Sequence, residues 1–357
     1  MMHYNKFFEL LRYSIGTSEV FPQLMEEEWK EIYEMSKKQS LVGITYAGIS
    51  RMSADKQPPK RVKLNWYMKA DKIAKRNDGI NKVAEFVASM FAKVGYPNCI
   101  LKGQGNALMY PTPESRTPGD IDIWLDGEIS QLVKRVRRKV PTAKACYHHI
   151  DFGKVKGVEI EIHYRPAYIN NLICNGRMQR WFREQSHEQM IHKVVLPNCS
   201  EEVSVPTMAF NRIFQMAHIS NHVIQEGIGL RQLLDYYYLL MQGFSEEERK
   251  RDEQLLRRFG LYNVASAVMY VLHEVFGLQQ KQMLVPVDER RGRFLLEEIM
   301  LAGNFGKYDK RLEGKRKAIG KNMARLKRDV RFLRYFPSEC LWEPIFRVYH
   351  FFWRISH

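Results

Sequence analysis

The chain has 357 residues, 45% of them apolar and 27% charged, an ordinary balance for a folded soluble protein that excludes disorder as the default. Its net charge is +16, and residues 301–357 alone hold 14 Lys+Arg against 5 Asp+Glu. Such a surplus suits a nucleotide triphosphate, a nucleic acid or an acidic surface as partner, or else a solvated basic face. Cys99, Cys146, Cys174, Cys199 and Cys340 are widely spaced with no CxxC pair. That argues against a disulfide framework and a zinc ribbon and favours a reducing cytoplasm.

Residues 1–96 read as an N-terminal helical region. Phe7, Phe8, Leu10, Leu11 and Ile15 recur at helical spacing, as do Trp29, Ile32, Tyr33 and Met35. A longer stripe follows, with Ile80, Val83, Phe86, Val87, Met90, Phe91 and Val94 on one face. Gln57-Pro58-Pro59-Lys60 interrupts the zone, and Gly95-Tyr96-Pro97 ends the long helix. Met1 to Gly16 holds no signal-like apolar core, and nowhere does the chain reach the roughly 18 apolar residues of a membrane span.

Residues 97–168 change period. Cys99-Ile100-Leu101 is a short apolar run, and Ile121, Ile123 and Leu125 alternate with Asp120, Asp122 and Trp124. His149 to Val155 and Val158 to His163 flank Lys156-Gly157 and predict a hairpin. Helical candidates run from Gly105 to Tyr110 and from Ile129 to Val140. This zone predicts a small mixed sheet with helices. Residues 169–357 complete the chain as a C-terminal helical region. Phe210, Ile213, Phe214, Ala217 and His218 share a face, Leu230 to Met241 forms the next helix, and Leu341 to His357 is rich in aromatics that fit a core better than a base-stacking platform or a membrane surface. The expected class is α+β: a mixed-sheet core flanked by helices from both ends.

The chemistry lies in the sheet zone. Residues two apart on a strand project to one side, so Asp120 and Asp122 point together. Two carboxylates that close repel unless a cation lies between them, and Mg²⁺ prefers oxygen ligands. Glu159 and Glu161, two apart on a later strand, are candidates for a third ligand of a two-metal clamp. Glu159 also has a surface reading, as partner of Lys154. Gly103 and Gly105 sit between a strand and a helix, where backbone N–H groups favour an anion, and Lys102 and Arg116 add charge. Arg116 has simpler partners in Glu114 or Asp126. His148, His149, His218 and His222 show no zinc-like arrangement with cysteine, and a core or supporting role is expected for them and for His163. Arg231 and Asp235, four apart, read as a helix ion pair or as residues near a nucleotide.

Leu101-Lys102-Gly103-Gln104-Gly105, then Arg116-Thr117-Pro118-Gly119-Asp120-Ile121-Asp122, then Glu161-Ile162-His163-Tyr164, resemble the nucleotidyltransferase superfamily with the polymerase-beta-like fold. More narrowly they resemble a bacterial family of uncharacterised nucleotidyltransferases, as does the helical run His218, His222, Gly229, Leu230, Arg231, Leu234 and Asp235. The resemblance implies transfer of NMP from an NTP to an acceptor, with release of pyrophosphate and two Mg²⁺ ions, or Mn²⁺ in their place. It places the metal pair on Asp120 and Asp122, the third acid on Glu161 and the Gly-rich signature on Gly103. The catalytic and metal-binding residues expected are thus Asp120, Asp122 and Glu161, with Glu161 or Asp122 as the candidate to take the acceptor's proton, and the nucleotide-binding residues expected are Lys102, Gly103, Gln104, Gly105 and Arg116. Gln104 stands where Gly or Ser is usual, and Glu161 where Asp is common. The acceptor, whether small molecule, protein or RNA, is left open, with the basic C-terminal region as the RNA candidate surface. Two other classes compete: a non-catalytic nucleotide- or RNA-binding module that keeps the fold, and an enzyme of tRNA ends.

Overall fold

A computed structural model of the chain describes residues 4–309, 311 and 327–357. Six of the basic residues counted in 301–357 (Lys310, Lys315, Arg316, Lys317, Lys321 and Arg325) lie outside the described residues, and with them much of the RNA candidate surface. Among the described residues no helix is long and apolar enough to cross a membrane.

The N-terminal region is helical as its periodicity predicts: α1 (Asn5–Ile15), α2 (Glu26–Lys38), α3 (Val42–Arg51) and α4 (Lys60–Lys93). Phe7, Phe8, Leu10 and Leu11 are buried from α1, and Trp29 of α2 meets Trp66 of α4 edge-on at 6.1 Å. Helix α4 has 34 residues and is therefore about 50 Å long. Its first half gives Val62, Trp66 and Ile73 to the helical core. Its second half gives Ile80, Val83, Ala84, Val87 and Phe91 to the core beneath the sheet. The apolar stripe is narrower than its spacing predicts: Phe86 and Val94 are exposed, and the Lys156 ammonium lies 4.9 Å above the Phe86 ring.

The sheet has four strands in the order β1 (Asn98–Ile100), β2 (Ile121–Leu125), β4 (Val158–His163) and β3 (His149–Val155). The central pair β2·β4 is parallel and the outer pairs are antiparallel, so the α+β class and mixed sheet are as expected. Ile121, Ile123 and Leu125 of β2, with Ile160 and Ile162 of β4, face α4 and α6 (Ile129–Lys139), and the alternating polar residues face the other side. Lys156 (φ +47°) and Gly157 (φ +83°) make the β3–β4 turn, the paired positive φ of a tight hairpin. The helix expected over Gly105 to Tyr110 is a single turn, α5 (Gln104–Ala107).

Beyond the sheet lie α7 (Leu172–Ile191), a β5–β6 ribbon (Lys193–Val195, Glu202–Ser204) that the sequence pattern did not reveal, α8 (Met208–Gln225) and α9 (Leu230–Met241). Helices α10 (Glu246–Arg258), α11 (Tyr262–Phe276) and α12 (Glu289–Ala302) follow, then a helical stretch α13 whose described part is 327–333, and α14 (Pro337–Ser356). The aromatic tail divides by face. Phe346 stacks on Tyr168 at 4.8 Å and Trp353 is buried, whereas Phe351 and Phe352 are exposed.

Glu339 joins α14 to the loop after β4, accepting the Asn170 N–H at 3.0 Å. Burial pushes its carboxyl up to about 7, against two backbone hydrogen bonds that pull the other way. The folded chain therefore keeps a proton that the unfolded chain loses above the ordinary 4.5. Stability should fall as pH rises from 4.5 to about 7, by about 3 kcal/mol, and stay level above. Denaturant titrations of Glu339→Gln should show this slope removed and a gain over the parent at pH 8; an unchanged slope contradicts the assignment.

Candidate active site

Three short loops and two strands build the site. The parallel register places Asp122 of β2 directly opposite Glu161 of β4, so the two carboxylates lie on one face by backbone pairing alone. Asp120 sits just before β2, at the end of a loop tied down at several points. Asn77 of α4 donates its amide to the carbonyls of Glu114 (2.9 Å) and Arg116 (2.7 Å), and Thr117 donates its hydroxyl to Ser40 O at 2.7 Å. Carboxylate oxygens of Asp120, Asp122 and Glu161 come within 4.8 Å of one another. Three hard oxygen donors that close form a set suited to Mg²⁺ or Mn²⁺. Glu159 is outside this set and pairs with Lys154 at the surface at 3.2 Å.

Two cations sit against the buried Asp122. Lys102 Nζ is 3.0 Å and His163 Nε2 2.9 Å from its Oδ1. Burial pushes the Asp122 carboxyl up, but Lys102 and the His163 hydrogen bond outweigh it and hold the group well below the usual carboxylate range. His163 responds in kind. Burial opposes its charge, yet Asp122 and Glu161 push it up to about 9, and its Nδ1 donates to Arg165 O at 3.2 Å. Glu161 is pushed up by burial and brought lower overall by His163 and His149. Asp120 is raised, first by the Asp122 charge and then by the loss of water around its carboxylate in the cleft.

These groups floor a cleft of about 480 Å³, within the usual size of ligand pockets. Its far wall comes from α8, α9 and the 303–307 loop. Arg116 gives Nε and Nη2 to Asp235 of α9 at 2.7 and 2.8 Å, and Tyr110 donates to the same carboxylate at 2.6 Å. Among the described residues Arg116 Nη1 is buried without a hydrogen-bond partner, and Arg116 lines the cleft. An orphaned guanidinium nitrogen in such a place suits an anionic ligand. Arg231 also lines the cleft and donates from Nη1 to Thr117 O at 3.0 Å. His218 Nε2 is 3.4 Å from Lys102 Nζ and 2.9 Å from His222 Nε2, and His222 Nδ1 meets Glu226 at 2.6 Å. Burial and the adjacent Lys102 hold His218 well below the ordinary histidine range, hence neutral. Phe305 closes the cleft from a left-handed backbone conformation (φ +54°). Its loop is seated so closely that a Cβ on Gly229 would stand 2.8 Å from Asn304 Oδ1.

The residues named from sequence separate into two groups. Asp120, Asp122, Glu161, Lys102, Gly103 and Arg116 line one cleft. Gly103 has φ +59° and ψ −102°, a conformation closed to residues with a Cβ. Gln104 and Gly105 do not reach the cleft. The Gln104 amide donates to Asn81 and to Asn77 (3.5 Å) on α4, and a Cβ on Gly105 would stand 3.0 Å from Val205. Gly105 N–H is also used, by Lys102 O at 3.2 Å. With α5 only one turn long, the expected phosphate cradle reduces to Gly103 and the start of that turn. Arg116 pairs with neither Glu114 nor Asp126, and Asp235 pairs with Arg116 across the fold rather than with Arg231 along its helix. His148, His149, His163, His218 and His222 all line the cleft, which helical and strand periodicity could not announce. Nor was the clustering of Cys146 with His148 and His149 foreseen.

This sheet with its acidic pair and third acid, walled by helices, belongs to the nucleotidyltransferase superfamily. Within it, the chain belongs to a family described as uncharacterised nucleotidyltransferases, whose sequence profile matches residues 25–277. The match spans α2 to α11; Phe305 lies beyond it. Among solved structures, the chain is similar to an antigenic nucleotidyltransferase-like protein from Paracoccidioides brasiliensis, at 12% identity and a TM-score of 0.28, over 53% of this chain and 91% of that one. No curated protein matches.

The Arg116–Asp235 pair is fully buried, so cutting one partner strands a charge. Asp235→Ala should cost about 3–5 kcal/mol in equilibrium unfolding, and the double change Arg116→Met/Asp235→Leu should recover most of it. A loss below about 1 kcal/mol in the single variant contradicts a structural pair.

Proposed function

We propose that this protein transfers an NMP group from a nucleoside triphosphate to an acceptor and releases pyrophosphate, with Asp120, Asp122 and Glu161 as ligands of two Mg²⁺ or Mn²⁺ ions. The observation that carries the reading is the meeting of these three carboxylates on one sheet face, beside a cleft that also holds unspent positive charge. When bound, the ions neutralise phosphate charge and favour departure of pyrophosphate.

The chain's own residues supply the rest. Lys102, Arg116 and Arg231 offer cationic groups to the phosphates, and Gly103 lets an anion approach the backbone closely. Gln104 and Gly105 support that turn by packing and are not assigned phosphate contacts. Asp122 has Oδ1 engaged by Lys102 and His163, so its part is charge. Glu161, 29% exposed, is left as the carboxylate within reach of an acceptor's proton. The catalytic gain then comes from positioning and charge rather than from a covalent intermediate. A cytoplasmic setting fits the unpaired cysteines. The acceptor is proposed only as a nucleophile small or extended enough to enter the cleft.

Label transfer from each α-labelled NTP, with cell extract as acceptor source, tests this reading. Transfer should need Mg²⁺ or Mn²⁺ and fall about 100-fold or more in Asp120→Asn and Asp122→Asn, while Glu159→Gln leaves it unchanged. Failure of every NTP to bind or react overturns the proposal in favour of a binding module.

A further inference from the structure

A second set of metal-binding side chains, of different chemistry, adjoins the acidic one. Ligand atoms of Cys146, His148 and His149 lie within 4.8 Å of one another. Cys146 Sγ is 3.4 Å from His148 Nδ1, and His148 Nε2 is 3.0 Å from His149 Nδ1. These three residues come from one four-residue turn closed by Cys146 N–H donating to His149 O at 2.9 Å.

The turn is held from both sides. Tyr164 donates its hydroxyl to the carbonyls of Cys146 and of His149 (3.0 Å). Tyr147, between the cysteine and the first histidine, has Phe346 and Trp353 of α14 packed edge-on at 5.4 and 6.0 Å, with Arg165 over its ring at 4.1 Å. Its N–H donates to His350 at 3.1 Å. With Tyr147 fixed in that aromatic box, Cys146 and His148 are fixed beside it. Asp151 stands 3.4 Å from His149 Nε2, the carboxylate backing that metal-bound histidines commonly have, and this leaves His149 Nδ1 for the cluster.

We propose that Cys146, His148 and His149 bind Zn²⁺, at a site that adjoins the carboxylates proposed for Mg²⁺ but shares no ligand with them. One thiolate and two imidazoles match zinc and repay magnesium poorly, since magnesium takes oxygen ligands. Three protein donors leave one tetrahedral position for water or a substrate group, the pattern of zinc sites that stay open. On binding, the Cys146 thiol becomes a thiolate and its proton passes to solvent. The zinc site is coupled to the acidic one through His149, whose Nδ1 is 3.4 Å from Glu161 Oε2. Zinc occupancy thus fixes the imidazole that faces a proposed magnesium ligand.

Cobalt titration of the chelator-treated full chain tests the site without any need for turnover. The expected result is a near-ultraviolet thiolate-to-cobalt band that saturates at one Co²⁺ per chain and is displaced by Zn²⁺. It should vanish in Cys146→Ser and persist in Asp120→Asn/Asp122→Asn. In the unaltered chain, Zn²⁺ should slow alkylation of Cys146 about tenfold or more, read by mass spectrometry, and leave Cys199 unprotected. Absence of the band, its survival in Cys146→Ser, its loss with the two aspartates, or equal protection of Cys146 and Cys199 each overturns the proposal. None of these readouts depends on nucleotide transfer, so its failure is distinct from failure of the catalytic reading.

Discussion

Three carboxylates held within 4.8 Å repel one another, and most of what surrounds them answers that repulsion. At an effective dielectric near 20, two anions at that distance oppose each other by roughly 3–4 kcal/mol. Lys102 and His163, each about 3 Å from Asp122, return an attraction of the same order. The charges in the cluster are therefore largely balanced, and its three carboxylates have the spacing to hold a divalent cation, as proposed above. Nothing about the fold alone calls for Asp120, Asp122 and Glu161 to meet, because apolar residues on the opposite face of β2 and β4 make the core.

The scaffold behind the cluster is shared. Helix α4 packs against the sheet with its second half, and Asn77 on the same helix holds the loop that delivers Asp120. The spacer between Gly103 and Asp120 thus leads to a fixed point rather than a free loop. Arg116 belongs to this support and to the cleft at once: two guanidinium nitrogens anchor it to α9 through Asp235, and the third has no hydrogen-bond partner among the described residues. Opposite, Lys102 joins the acidic floor to the His218–His222 pair on α8. The cleft is lined by residues far apart in sequence but connected by short polar contacts, which keeps it polar and preorganised.

What the sequence made legible followed from local rules. Alternation marked β2, and the Lys156-Gly157 turn located the β3–β4 hairpin; the expected closeness of Asp120 to Asp122 is met, but through the loop before β2 rather than through the strand itself. The choice of Glu161 over Glu159 rested on position within the motif, and the parallel register with Asp122 explains it physically. The rest depended on contacts that no local pattern encodes. Arg116 finds Asp235 across 119 residues, and Gln104 finds Asn81 across 23. Phe305 reaches the cleft because a late loop packs on Gly229. Cys146-Tyr147-His148-His149 looked like no metal motif, since its convergence comes from a turn braced by Tyr164 and α14 rather than from familiar ligand spacing.

The convergence of three acids on divalent cations is best tested by a crystal structure with Mn²⁺ and a non-hydrolysable nucleoside triphosphate. Anomalous scattering should place manganese within bonding distance of Asp120, Asp122 and Glu161, with the phosphates extending toward Lys102 and Arg116. Manganese bound elsewhere, with these three carboxylates contacting only Lys102 and histidines while nucleotide is present, would contradict the account.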